Sequence, residues 1–398
     1  MKEKSKHMNI PKIRFKGFED TWKNDKIGNI GSILMCKRIF KSQTTSIGDI
    51  PFYKIGTFGS TADAFISENL FNEYKTRFSY PQYGDILLSA AGTIGRIVEY
   101  KGEKAYFQDS NIVWVKVNGK IKNQFLKYIY SCIKWNGLEG STIKRLYNNN
   151  ILETAINYPS PEEQQKIASY FQSLDSLIQI TSKKLASLKQ IKAASLQSMF
   201  PQEGETVPKV RFKGFKEGWE KEKLGNLFKE RIENNINGEL LSVTINNGII
   251  KASDNGRFDN SNNDKSHYKV VKIGDIVYNT MRMWQGASGY SAYEGIVSPA
   301  YTVIIPQEQV FPLFFAYLFK TQSLINRFRI HSQGLTTDTW NLKFAGFSII
   351  EVCFPKSKLE QQKIASYFCN LDKQISLQTQ RLEKLKQIKA ACLDKMFV

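Results

Sequence analysis

The stretch PKIRFKGFEDTW at Pro11 to Trp22 returns about 197 residues later as PKVRFKGFKEGW at Pro208 to Trp219, with 8 of 12 positions identical. A longer match keeps the same offset: Glu162 to Phe200 against Leu359 to Phe397, with 23 of 39 positions identical. It carries EQQKIASYF at Glu163 to Phe171 and Glu360 to Phe368, and LKQIKAA at Leu188 to Ala194 and Leu385 to Ala391. Repetition at this period constrains the chain more than any other feature, because both copies must build the same framework. Between the anchors the copies agree only in outline. GDILLSAAGTIG at Gly84 to Gly95 stands where GDIVYNTMRMWQG stands at Gly274 to Gly286. Matching ends and different middles imply one scaffold carrying two different readers.

The matching C-terminal segments read as helices. Ser160-Pro161-Glu162-Glu163 offers a cap, a proline at the first helical position and a glutamate at the third, the pattern of a capping box; Ser357 and Glu360 repeat the spacing. Apolar residues then recur at steps of four and three: Ile167, Phe171, Leu174, Ile178, Leu185 and Leu188, and in the second copy Ile364, Phe368, Leu371, Ile375, Leu382 and Leu385. Thr181 and Gln378 interrupt them at the matching slot. This is a coiled-coil seam. A helix of about 37 residues makes a rod of roughly 55 Å, and such a face needs a partner. The short stretch Pro201 to Val207 leads from the end of the first helix straight into the second domain, so the second helix covers the first by running back along it. The alternative is two separate helices, each packed only on its own domain.

The expected fold is therefore α+β: two α/β domains separated by a pair of long antiparallel coiled-coil helices, related by an internal pseudo-twofold duplication. The expected segments are 1–158 for the first domain, 159–200 for the first helix, 201–355 for the second domain and 356–398 for the second helix. A chain of 398 residues suits two domains, and a 41% hydrophobic content can build both cores.

Lysine and arginine number 56 against 37 acidic residues, a net charge of +19, and both halves are basic. Such a surplus favours a polyanionic partner, since each phosphate neutralised releases counterions; a merely basic surface is the other reading. Five cysteines without a C-x-x-C pair argue against a disulfide framework or zinc site and read as reduced, mostly buried thiols. No apolar run approaches a membrane span and the N-terminus is basic and polar, so no membrane contact is expected and the expected location is cytoplasmic.

Catalytic signatures are missing: no phosphate-binding G-x-x-x-x-G-K-[ST], no H-E-x-x-H, no G-x-S-x-G and no Asn-Pro-Pro-aromatic segment. No catalytic residue, metal ligand or resident cofactor is expected. His7 lies in the N-terminal stretch, and His267 and His331 read as lone polar surface groups or DNA contacts rather than ligands. What the domains carry instead is basic and aromatic residues near glycines on loops. In the first, Ser89, Gly92, Thr93 and Arg96 allow backbone amides and a guanidinium to approach a phosphate or base edge. In the second, Thr280, Arg282, Trp284 and Gln285 are richer in readout chemistry, since Arg pairs with guanine O6 and N7 and Gln with adenine N6 and N7. A second pair of segments precedes each helix with a similar mix: Lys144, Arg145 and Tyr147, and Thr336, Thr337, Trp340 and Lys343. An ordinary strand-loop-strand turn accounts equally well for either glycine loop taken alone.

The tandem Pro161-Glu-Glu-Gln-Gln-Lys-Ile-Ala168 and Glu360-Gln-Gln-Lys-Ile-Ala365, with G-D-I followed by G-T-I-G or M-R-M-W-Q-G inside the domains, resembles the specificity subunit of type I restriction-modification systems over essentially the whole chain. One departure is Pro355-Lys-Ser-Lys in place of Pro159-Ser-Pro-Glu at the start of the second helix. The resemblance implies two target-recognition domains, each reading one half of a split double-stranded DNA site, with the helices as ruler and docking surface. It implies two modification subunits that methylate adenine N6 with S-adenosylmethionine, and two restriction subunits that translocate and cleave DNA with ATP and Mg2+. The rival is a stand-alone tandem nucleic-acid-binding or scaffold protein with a self-associating coiled coil.

Overall fold

The structure is a computed structural model that describes residues 9–135, 145–245, 247–255, 264–337 and 339–398. The chain folds as two compact units that cut across the four expected segments. Residues 1–181 and 381–398 form the first, and residues 182–380 the second. Each unit thus owns the beginning of one long helix, Pro161–Ser198 or Lys358–Met396, and the end of the other. The alternative in which each helix packs only on its own domain does not hold.

In the first unit Lys23–Lys26 pairs antiparallel with Ala155–Tyr158, Lys23 opposite Tyr158, which ties the two ends of the domain together. The central sheet is antiparallel, in the order Gly31–Leu34, Ile112–Val117, Ile86–Ser89, Ile97–Glu99. The second unit repeats this plan. Glu220–Lys223 pairs with Glu351–Phe354, and its sheet runs Phe228–Glu230, Tyr301–Pro306, Ile276–Asn279, Ser288–Tyr290. The middles that share little sequence share their topology.

The turn before each third strand explains why G-D-I recurs. Gly84 and Gly274 adopt φ of +86° and +98°. The aspartate that follows is buried and accepts a backbone N–H from three residues upstream, Gln82 to Asp85 at 2.8 Å and Lys272 to Asp275 at 2.7 Å. Asp275 also takes a bidentate Arg231, at 2.9 Å for both bonds.

The units differ beside the sheet. The first adds a three-stranded sheet of Phe65–Ile66, Ile50–Tyr53 and Tyr106–Phe107 and the helix Glu68–Arg77, around an aromatic core with Phe58, Phe71 and Trp114. The second adds a hairpin, Leu241–Thr244 with Gly248–Lys251, and an antiparallel pair of strands distant in the chain, Lys269–Val271 with Gly295–Val297, around an aliphatic core of valines, isoleucine and leucine.

The core of each unit is completed by the far end of the other helix. In the first unit Phe397 packs against Trp22, Phe125 and Phe171 at centroid distances of 6.0, 5.5 and 5.8 Å. In the second Phe200 packs against Trp219, Phe314 and Phe368 at 6.1, 5.5 and 5.8 Å. Within each unit the helix segments run antiparallel. Tyr170 Oη lies 3.4 Å from Cys392 Sγ, and further on Asp175 meets Lys389 at 2.5 Å. Tyr367 and Ser195, 2.9 Å apart, and Asp372 and Lys192, 2.5 Å apart, repeat the arrangement.

Ile167, Phe171, Leu174, Leu185 and Leu188 are buried, as are Ile364, Phe368, Leu371 and Leu382, while Ile178, Ile375 and Leu385 are half-buried. The first residues of each seam serve the domain core as much as the partner helix: Phe171 lies 4.9 Å from Tyr128 and Phe368 5.1 Å from Tyr317. Burying one such ring contributes about 2 to 3 kcal/mol.

The helix starts carry half of the expected capping box. Glu163 and Glu360 donate their backbone N–H to Ser160 and Ser357 Oγ, both at 3.4 Å. The extra residue in Pro355-Lys-Ser-Lys leaves Ser357 as the cap, and the second helix begins at Lys358. The glutamate side chains do not return to the cap. Arg14 binds Glu163 with two bonds of 2.7 Å, and Arg211 binds Glu360 at 2.7 and 2.8 Å. A buried carboxylate gains more from a guanidinium fork than from one amide. The glutamine after each glutamate is buried and staples the long-helix start to the N-cap of an earlier helix of the same unit, Asn123–Cys132 or Pro312–Leu318: Gln164 accepts from Lys122 N at 2.9 Å, and Gln361 from Phe311 N at 2.7 Å.

All five cysteines are free thiols, but only Cys36 is buried; Cys132 is exposed and the others lie between, because the last three sit on a solvated sheet or on helix flanks. Among the described residues, no helix is long and apolar enough to cross a membrane, and no group of three or more His, Cys, Asp or Glu is placed to hold a metal ion.

Candidate nucleic-acid interface

Both units build their candidate loops on one backbone frame. In the first, Ala90 N–H donates to Asn111 O at 2.7 Å and Ala90 O accepts from Leu146 N–H at 2.8 Å. In the second, Thr280 N–H donates to Ala300 O at 3.1 Å and Thr280 O accepts from Leu342 N–H at 2.8 Å. The loop after the third strand is thereby joined, in each unit, to the turn before the last sheet strand and to the segment before the last short helix. In each unit two of the segments singled out in the sequence thereby meet in space, 89–96 with 145–147 and 280–286 with 339–343.

The side chains on this frame differ. In the first unit Gly92 and Gly95 turn the chain at φ of +63° and +83°. A Cβ on Gly95 would sit 3.2 Å from Trp135 Nε1, so the position also serves close packing. Arg96 is exposed and its guanidinium Nη1 donates to Phe58 O at 2.7 Å, which ties the end of the side chain to the neighbouring loop. Arg145 pairs in a backbone bridge with Ala91 and donates to Ser110 Oγ at 3.2 Å and Asn111 Oδ1 at 3.4 Å. Its guanidinium lies 5.8 Å from the ring of the exposed Tyr147. Ser110, with φ of +54°, is the only non-glycine residue in the left-handed region among the described residues. Backbone strain of this kind collects at functional sites. Gly92 and Thr93 form the exposed tip. Lys144 lies outside the described residues.

In the second unit the loop closes with a single 3-10 turn, Met283–Gln285, ended by Gly286 at φ of +82°. Met283 is buried and anchors the turn, leaving Arg282 exposed and Gln285 half-exposed, with Arg282 Nη1 donating to Gln285 Oε1 at 3.3 Å. Trp284 donates its indole N–H to Met281 O at 3.0 Å and packs edge-on against Trp340, centroids 5.2 Å apart. Trp340 belongs to a short hairpin in which Gln333 and Asn341 exchange backbone bonds of 3.0 and 2.8 Å. A Cβ at Gly334 would lie 2.5 Å from Thr339 O, so only glycine fits there. Thr336 and Thr337 are exposed on this hairpin, and Lys343 lines a shallow groove with Thr280, Lys269, Pro299 and Asn341.

Two candidates are displaced from direct contact. Ser89 is 1% exposed, and its hydroxyl donates to Thr93 O at 2.5 Å while accepting Arg96 N–H at 2.8 Å. Thr280 is 8% exposed and donates to Ala300 O at 2.8 Å. Both stand where a strand enters its loop, and both shape the loop from beneath. Three participants carry no sequence signal: the Ser110-Asn111 turn, Phe58 and Ala300. They act through backbone carbonyls or strained turns, which leave no pattern in a single chain. The Arg14–Glu163 and Arg211–Glu360 pairs were legible in principle, since opposite charges recur in both anchors at the same offset.

The arrangement offers exposed guanidiniums, amide and hydroxyl groups and aromatic rings on rigid turns, the chemistry that reads base edges and phosphates. The sequence signature described as the type I restriction modification DNA specificity domain matches residues 19–190 and again residues 216–387. A protein of Haemophilus influenzae named as a type I restriction enzyme specificity subunit is 52% identical over 153 residues, 38% of this chain and 40% of that protein. The type I restriction enzyme MjaIX specificity subunit of Methanocaldococcus jannaschii is 27% identical over 209 residues, 48% of this chain and 45% of the relative. The matched stretches thus span less than half the length of either. In fold, the chain is similar to the type I restriction-modification S subunit from M. genitalium, with a TM-score of 0.62 at 14% identity over 98% of this chain and 99% of that one. With the signature covering both repeats, the chain belongs to the type I restriction modification DNA specificity domain family, and carries that domain twice.

Proposed function

We propose that this chain reads a bipartite, asymmetric double-stranded DNA target, one half-site per unit with a fixed spacer, and directs chemistry performed by partner subunits. The observation that carries the proposal is the shared loop frame, Ala90 with Leu146 and Thr280 with Leu342, on which the two units mount different side chains. One frame holding the candidate loops at the same point of each fold supports this reading, and Arg96, Arg145 and Tyr147 against Arg282, Trp284 and Gln285 offer different hydrogen-bonding and stacking chemistry. Arg282 beside Gln285 suits a guanine or adenine edge in the major groove.

In this reading the partners are two modification subunits, which methylate adenine N6 with S-adenosylmethionine, and two restriction subunits, which cleave DNA with ATP and Mg2+. This chain contributes no catalytic group, and it acts in the cytoplasm. The test is to map methylated bases by single-molecule sequencing of DNA from cells that carry the chain with its partners. Two different short half-sites separated by a constant spacer are expected. A contiguous or palindromic motif overturns the proposal.

A further inference from the structure

Lys320 follows the helix Pro312–Leu318 and is not part of the exposed loop surface. Its ammonium nonetheless gathers three backbone carbonyls from three places. It donates to Ser288 O at 2.8 Å, to Ile245 O at 3.2 Å and to Gly286 O. An ammonium has three N–H donors and no acceptor, so three converging carbonyls satisfy it completely. Gly286 ends the 3-10 turn that presents Arg282 and Gln285, and Gly286 N–H closes that turn on Met283 O at 2.8 Å. Ser288 opens the strand that returns from the loop, and Ile245 follows the strand Leu241–Thr244. The loop's exit, the returning strand and a neighbouring turn therefore share one cation.

The first unit holds its loop differently. There the Ser89 hydroxyl bonds Thr93 O and Arg96 N from inside the loop. Asn279 occupies the corresponding place at the end of the third strand in the second unit; its side-chain Oδ1 accepts from Met281 N–H at 3.0 Å and its backbone carbonyl from Arg282 N–H at 3.1 Å. The second loop is closed by backbone bonds, Asn279 N–H to Ala287 O at 2.9 Å and Ala287 N–H to Arg282 O at 3.1 Å, without a hydroxyl at the strand end to clasp it, and Lys320 braces its exit from outside.

We infer that Lys320 is a positioning residue for base reading by the second unit, fixing the Arg282–Gln285 turn through the carbonyls of Gly286, Ser288 and Ile245. The inference rests on the proposed DNA-reading role of that turn. Its test uses the full chain and selection from a random-sequence duplex library, followed by sequencing of the retained DNA. Arg282→Ala first identifies the half-site that the second unit reads. Lys320→Met, similar in length but without donors, is expected to reduce base discrimination at that half-site about tenfold and to leave the other half-site unchanged. Lys320→Gln, which keeps two N–H donors, is expected to lose less, and it provides the reading if the methionine variant does not fold. A merely structural lysine would lower stability and total binding while leaving base preferences intact, and that result overturns the inference. Equal relaxation at both half-sites overturns it too. If Arg282→Ala alters neither half-site, the DNA-reading role of the turn fails, and the inference with it.

Discussion

The Arg14 guanidinium grips the Glu163 carboxylate through two bonds of 2.7 Å, with 11% and 1% of the side chains exposed. Arg14 belongs to the first anchor of the repeat and Glu163 to the second, 149 residues away. Arg211 and Glu360 repeat the pair in the second unit. Around each pair the anchors interlock further. Lys166 lies over Phe18 at 5.3 Å and Lys363 over Phe215 at 5.1 Å. The two anchors recur together because they form one joint between a domain and the start of its helix.

Breaking that joint on one side leaves a buried charge alone. Arg14→Met or Glu163→Gln should each destabilise the first unit by about 3 to 5 kcal/mol, whereas Arg14→Met with Glu163→Leu should cost clearly less than the sum. Urea unfolding of the three variants measures this. Limited proteolysis should show cleavage concentrated within residues 1–181, with the second unit still protected.

Arg96→Ala and Arg282→Ala should each weaken DNA binding by roughly 1 to 3 kcal/mol and relax preference at one half-site if they touch bases. A loss that is uniform across sequences would place them on phosphates. Ser89→Ala should also weaken binding although Ser89 is buried, because Arg96 N and Thr93 O lose their shared hydroxyl. Fluorescence anisotropy with matched and mismatched duplexes distinguishes these cases.

Burial pushes the Lys320 ammonium from its usual 10.5 down to about 8, Lys192 acts in the same direction, and Asp372 opposes both. The folded chain therefore releases this proton before the unfolded chain does. Between pH 8 and 10.5 the unfolded state binds more protons, so this group makes stability rise with pH across that window, and its penalty is fully present below about pH 8. The gain should not exceed about 3 kcal/mol. Chemical denaturation of wild type and Lys320→Met at a series of pH values should show it in the wild type only.

Four residues inserted between Thr181 and Leu185 should lengthen the spacer of the target or abolish assembly with the partners, since the seam Ile167, Phe171, Leu174, Ile178, Leu185, Leu188 would lose its register. Unchanged spacing with full activity would contradict a role for the helices in setting that distance.

The sequence made the architecture legible where physics is periodic or repeated. The seam residues and the caps at Ser160 and Ser357 follow from helix geometry, and the duplication announced two similar units. The second half of the capping box was not legible, because the competing partner of Glu163 lies far away in the chain. Ser89 and Thr280 misled for another reason: a small polar residue among glycines reads as exposed, while its place at a strand end decides that it is buried. Lys320 carried no signal at all, since its acceptors are backbone carbonyls and any residue type supplies those.

Each unit is proposed to read its own half of the target. Replacing residues 1–158 with the corresponding domain of another member of the family, then mapping methylated bases in cells that carry the hybrid with its partners, tests it most directly. One half-site should change while the other half-site stays as it was. A change in both half-sites, or in neither, would contradict the account.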